Sequence, residues 1–171
     1  MQTGNVNTGK REAAQQKLNT ARVNLLLMII LTLVNIVLYF AGTDTMMLFS
    51  ATIPYYAAGF GQVFMPSDVS VALFALAGAL IITYFLCWLF SKKHYGWMIA
   101  ALVLFVIDTA AMVYLYIHFS DISGILDVLV HAWVLYYLVV GVINGINLKK
   151  MPPEQPAAMP ECPNADPEQP L

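Results

Sequence analysis

The residues able to do chemistry in this chain are few, and the most conspicuous is Asp108. It lies near the centre of an apolar run from Trp97 to His118 that contains no Lys or Arg. Taking a carboxylate out of water disfavours its charged form, so an acid in such a run marks a functional site by default. Three solutions are open. Asp108 is neutral and hydrogen-bonded, with Thr109 or Asn35 as the nearest candidate partners; it meets a histidine or a bound cation; or it meets a cation on a partner protein.

A second group stands further along. Asp127 and His131 are four residues apart, a spacing that stacks side chains on one helical face. A carboxylate beside an imidazole fixes its tautomer, which suits a proton relay or half of a metal site. His118 and Asp121 fall at the same edge, so His118, Asp121, Asp127 and His131 form a candidate metal set. Zinc-hydrolase spacing such as HExxH is absent, and a polar rim in contact with water accounts for the same residues. No other cofactor is indicated: the chain lacks GxSxG, a Walker loop, CxxC and GxGxxG. Cys87 and Cys162 give no disulfide framework. Nucleic-acid binding has no support, because the few cations all flank apolar runs.

Helices must hold these residues. Of 171 residues, 60% are hydrophobic and 11% charged, whereas a soluble domain carries about 25% charged residues. The apolar residues gather into four runs, 23–41, 70–90, 97–118 and 125–146. A helix rises about 1.5 Å per residue, so about 20 residues cross a hydrocarbon core of about 30 Å. The expected fold is all-α, a four-helix transmembrane bundle occupying residues 23–147. Residues 1–22 are expected to extend the first helix as a cytoplasmic segment, and the first run to stay as a signal anchor. Residues 148–171, rich in proline and acids, are expected to be a disordered cytoplasmic tail.

The eight cations fall in three places: Lys10, Arg11, Lys17 and Arg22; Lys92 and Lys93; Lys149 and Lys150. Cytoplasmic segments are the ones enriched in Lys and Arg, so both termini are expected in the cytoplasm of a multi-pass cell-membrane protein. Between the first two runs, Met46, Phe49, Ile53, Tyr56 and Phe60 share a helical face, interrupted by Pro54, Gly59 and Gly61. The expectation is an interfacial helix on the outer leaflet, anchored by Tyr55 and Tyr56; a re-entrant segment is the alternative. In the fourth run Asp127, His131, Val134, Leu138, Gly141 and Gly145 make one stripe, and in the second Ala72, Ala75, Ala79 and Thr83 make a small-residue face. Both are expected to pack closely on other helices.

The segments Ala21-Arg22-Val23-Asn24-Leu25-Leu26-Leu27 and Leu48-Phe49-Ser50-Ala51-Thr52-Ile53-Pro54-Tyr55-Tyr56 resemble small bacterial four-helix membrane proteins to which no activity is attached. The resemblance spans roughly the first third of the chain. It implies a bacterial cell membrane and carries over no catalytic residue.

Three functions are compatible with these residues. The first is an accessory or assembly subunit that packs on a larger membrane complex, with Asp108 paired to a partner's cation. The second is a homo-oligomeric proton- or cation-linked transporter or channel. The third is a metal-dependent enzyme at the outer leaflet. The partners are accordingly the lipid bilayer and either another membrane protein or further copies of the chain.

Overall fold

A computed structural model of the chain describes residues 3–43, 49–119 and 125–151. It contains five helices: α1 (Thr3–Phe40), α2 (Thr52–Val63), α3 (Asp68–Phe90), α4 (Gly96–Phe119) and α5 (Ile125–Lys150). No strand occurs among the described residues. α1, α3, α4 and α5 are each long and apolar enough to cross a membrane. These are the four runs expected from composition, and in a helix every mid-run backbone group is satisfied internally. α1 is 38 residues long, or about 57 Å, because it continues without a break through the polar segment that precedes its apolar run.

The short turn after Phe90 folds α4 back along α3, and α5 lies against both α4 and α1. All the described cations therefore gather at one end of the bundle, called here the cationic end. The core packs Leu25 and Met28 of α1, Met98, Ala101 and Phe105 of α4, and Val134 and Leu138 of α5 into one cluster. Large apolar side chains also cover the exterior, among them Val23, Val37, Ile107, Ile117, Leu129 and Tyr136. An exterior this apolar is a solvent mismatch in water and a match in lipid.

The buried residues of α5 are Asp127, His131, Val134, Leu138, Gly141 and Gly145. They are the stripe that the spacing picks out, and its glycine end is set against α1. A Cβ on Gly141 would stand 2.5 Å from the Cβ of Ala21, and one on Gly145 would stand 2.8 Å from the Cβ of Tyr95. The small-residue face expected on α3 is a different matter. α3 buries Ser70, Ala77, Tyr84 and Cys87, while Ala75 and Ala79 are exposed. A step of two residues turns a helix by about 200°, so Ala77 facing inward points both of its alanine neighbours outward.

The expected interfacial helix between the first two spans is not supported. α2 has 12 residues, about 18 Å, and its first turn lies deep in the bundle, with Thr52 and Pro54 buried. It runs outward from there to Val63, whose side chain is exposed. Its buried face is Thr52, Pro54, Ala57, Ala58 and Gly61, not the bulky set. Phe60 is exposed, Phe49, Ile53 and Tyr56 are half-buried, and Met46 lies outside the described residues. The physical reason is width. Ala57 and Ala58 close onto Ala77 and Ile36, and a Cβ on Gly61 would meet the Phe74 ring at 3.0 Å.

A Gly141→Ala substitution should separate α1 from α5 and lower stability by about 1–3 kcal/mol, the usual cost of overpacking. Thermal unfolding in detergent measures this. Gly78→Ala, where a Cβ meets nothing within 4 Å, should be neutral or stabilising. Adding Ala21→Gly to Gly141→Ala should restore much of the loss. Equal effects at Gly141 and Gly78 would contradict the close contact.

Candidate functional site

The site is built around the start of α2. A helix leaves its first four N–H groups without intrahelical partners. Ala51, at the N-cap, offers no side-chain cap, so the acceptors come from other helices. The Ala51 N–H donates to Thr32 Oγ1 of α1 at 2.8 Å. The Thr52 N–H donates to Asp108 Oδ2 of α4 at 2.8 Å, and the Ile53 N–H donates to Asp108 Oδ1 at 2.7 Å. The fourth position is Pro54, which has no N–H to satisfy. Asp108 is thus the cap of a helix to which it does not belong.

The approach to this turn is fixed just as closely. Asn35 Nδ2 donates to Ser50 Oγ at 2.9 Å. Thr32 is held in turn, its hydroxyl donating to the Met28 carbonyl at 2.8 Å. Phe49 has φ = 75°, in the left-handed region that costs a bulky residue about 1–3 kcal/mol. That strain is offset by the buried contacts it allows, since Phe49 packs on the main core.

Asp108 is 1% exposed, as is His131. His131 Nε2 lies 3.4 Å from Asp108 Oδ2 and 3.4 Å from Thr52 Oγ1. Its Nδ1 lies 3.0 Å from the Asp127 carbonyl oxygen. A carbonyl only accepts, so Nδ1 carries a proton. Nε2 then has two consistent states. Unprotonated, it accepts from the Thr52 hydroxyl while Asp108 keeps its two backbone donors. Protonated, it faces Asp108 as an imidazolium facing a carboxylate. Phe105 stacks on the imidazole, with ring centroids 5.0 Å apart and planes 9° from parallel, so the ring cannot turn away without opening the core.

The polar chain continues toward the end opposite the cations. Asp127, 5% exposed, accepts from the Tyr116 hydroxyl at Oδ2, 2.8 Å away. Its Oδ1 is buried with no hydrogen-bond partner among the described residues and lies 4.0 Å from His131 Nδ1. An acceptor left so is a place for a proton or a small polar occupant. Tyr84 of α3 is also buried.

Several expectations need correcting. The Thr109 hydroxyl donates to the Phe105 carbonyl at 2.8 Å, because a threonine inside a helix reaches its own preceding turn most easily. The second expected partner, Asn35, is buried at the α2 entry and bonded to Ser50. His131 reaches Asp127 through the backbone carbonyl rather than the carboxylate. His118 is exposed and stacks on Tyr114, while Asp121 lies outside the described residues. Among the described residues no three or more His, Cys, Asp or Glu side chains are grouped to hold a metal ion. Thr32, Ser50 and Thr52 were not anticipated. Pro54 was the available signal: a proline in a helix's first turn marks a start, where a proline in a helix interior marks a break.

Comparison of the chain with family models, with curated proteins and with solved structures gives no match. Stability should follow the local geometry of the cap. Asp108→Ala leaves two buried backbone donors without acceptors, at about 1–3 kcal/mol each. Asp108→Asn keeps one carbonyl acceptor and should fall between that variant and the native chain. Detergent unfolding midpoints ordered native, Asn, Ala are expected; identical midpoints would mean that Asp108 does not cap α2.

Proposed function

We propose that this protein is a proton-linked transport protein of the cell membrane, in which Asp108 and His131 hold the coupling proton. The observation that carries the reading is the buried Asp108–His131 pair at the N-terminus of α2. Ionisable side chains inside a membrane bundle are costly and mark ion or proton pathways. Broken helices whose N-termini point at an anionic group near the bilayer centre are a recurrent transporter device. In this reading the cationic end lies in the cytoplasm, and α2 is a re-entrant half-helix entering from outside. Its buried start is allowed because each exposed donor is satisfied within the protein.

The residues give a one-sided path. From outside, a proton meets Tyr116 and Asp127, then His131, then Asp108. The 4.0 Å gap between Asp127 Oδ1 and His131 Nδ1 is closed by a bridging water or a small side-chain rotation. Inward transfer uses the other tautomer: with the proton on Nε2 and Nδ1 free, Nδ1 accepts from Asp127 as Nε2 gives its proton to Asp108, which leaves the Nδ1–H form. Towards the cationic end the path meets Phe105, Met28, Leu25, Met98 and Leu138, all buried and apolar. In this reading the proton reaches the site from outside, and the apolar side chains below it act as a plug.

Proton occupancy also bears on α2. Without the proton, Asp108 and His131 together carry one negative charge, matched to a helix N-terminus worth about half a positive charge. With it the pair is neutral, the attraction for the N-terminus falls, and α2 is the short element able to shift.

The accessory-subunit reading is kept second, on the exposed Ala75 and Ala79 face of α3, which suits close approach by another helix or another copy. Its specific use of Asp108 is dropped, because a carboxylate 1% exposed with both oxygens engaged is not available to a partner's cation. Of the four ligands of the metal-dependent enzyme reading, Asp121 lies outside the described residues, and among the described ones no three His, Cys, Asp or Glu are grouped.

Proton flux into proteoliposomes, driven by a clamped potential and read by an internal pH dye, tests the proposal. Asp108→Asn and His131→Gln should each reduce flux to that of empty vesicles, while His94→Gln at the cationic end should not. Flux unchanged in both core variants, or absent from the native protein, rejects it.

A further inference from the structure

All eight cations of the chain lie toward one end of the bundle, and part of that charge surrounds a cleft. The cleft, of about 350 Å³, is lined by Ser91, Lys92, Lys93, His94 and Tyr95 from the α3–α4 turn and by Lys149 near the end of α5, with α1 closing one side. None of its lining residues is acidic. Its floor is fixed: Arg22 Nε donates to Ser91 Oγ at 3.0 Å and Arg22 Nη2 donates to the Trp88 carbonyl at 3.4 Å. Lys149 Nζ is held 5.5 Å over the Tyr95 ring, and both residues line the cleft.

Lysines at helix C-termini also complement the backbone dipole, and that accounts for their presence. It does not account for their convergence, from two separated segments, on one concave site with no acid in its lining. The surroundings add a second feature. Leu89, Phe90 and Trp97 on the adjoining surfaces of α3 and α4 are exposed, and the Phe90 and Trp97 rings pair at 5.1 Å. Phe90 and Trp97 bracket the turn that carries Lys92 and Lys93, so an anion held by those lysines has exposed aromatic side chains at both ends of that turn, the residue type that meets lipid headgroups.

We infer that this cleft binds the phosphate of an anionic phospholipid headgroup. The shared chemistry is a phosphate anion; the exposed aromatic side chains assign it to a lipid rather than to soluble phosphate. Basic pockets between membrane helices take anionic headgroups in this way. The site is independent of the Asp108 pair and stands or falls separately.

The test is native mass spectrometry of the full chain released from detergent, titrated with dioleoyl phosphatidylglycerol, dioleoyl phosphatidylcholine or inorganic phosphate. The native chain should saturate with one tightly held phosphatidylglycerol. The triple variant Lys92→Gln, Lys93→Gln, Lys149→Gln should bind about a hundredfold more weakly, at about fivefold per lysine. These side chains are exposed, so the fold tolerates their replacement. Lys10→Gln, Arg11→Gln, Lys17→Gln makes the same change in net charge at residues that do not line the cleft, and should leave the tight adduct in place. Three results overturn the inference: equal weakening in both triple variants, phosphatidylcholine held as tightly as phosphatidylglycerol, or inorganic phosphate bound at the same concentration as the lipid.

Discussion

A helix that begins inside a dry bundle must find acceptors for its first N–H groups, and the rest of this structure is arranged around that need. At α2 the solution is complete: Thr32 takes one donor, Asp108 takes two, and proline removes the last. Each side needs the other. An aspartate alone in an apolar core is as costly as an uncapped helix start, and together they remove both penalties. The arrangement also explains why Asp108 needs no lysine or arginine. Two backbone donors satisfy its carboxyl oxygens, and His131 Nε2 lies 3.4 Å from Oδ2.

The packing follows from the same constraint. For α2 to reach Asp108 it must pass between α1 and α3, and only a narrow helix fits there, hence Ala57, Ala58 and Gly61 on its buried face. The half of the core nearest the cations is filled by large apolar side chains, and the other half carries the polar chain from Tyr116 to His131. A fully apolar bundle of this size would be easier to build. Asp127 Oδ1, buried with no hydrogen-bond partner among the described residues, is a cost that an apolar side chain there would avoid.

The four long helices were legible because a period-free apolar run of sufficient length has few alternatives. The α5 stripe was legible because 4–3 spacing over six residues defines a face regardless of its partner. α2 was misplaced for a physical reason. Its most hydrophobic side chains define one face and its narrowest define another, and in a membrane the bulky face can turn to lipid while the narrow one is buried. Hydrophobic periodicity assumes water outside and therefore selects the wrong side. α3 failed similarly, since alanines at 75 and 79 and an alanine at 77 predict opposite faces with nothing local to choose between them. Asp108 stands out in the sequence as an acid in an apolar run, but Thr52 and Ile53 meet it through backbone N–H groups, which leave no mark in residue type. Only Pro54 hinted that a helix starts there.

The most direct test of the account is the depth profile of α2 in a bilayer. Single spin labels at Ile53, Phe60 and Val63, in a chain with Cys87 and Cys162 replaced by alanine, report depth by relative collision with oxygen and with a water-soluble nickel complex. A re-entrant half-helix capped by Asp108 predicts a steep gradient, with Ile53 near the bilayer centre and Val63 close to the headgroups. Equal, shallow depths at all three positions would place α2 on the surface and contradict the cap on which the site depends.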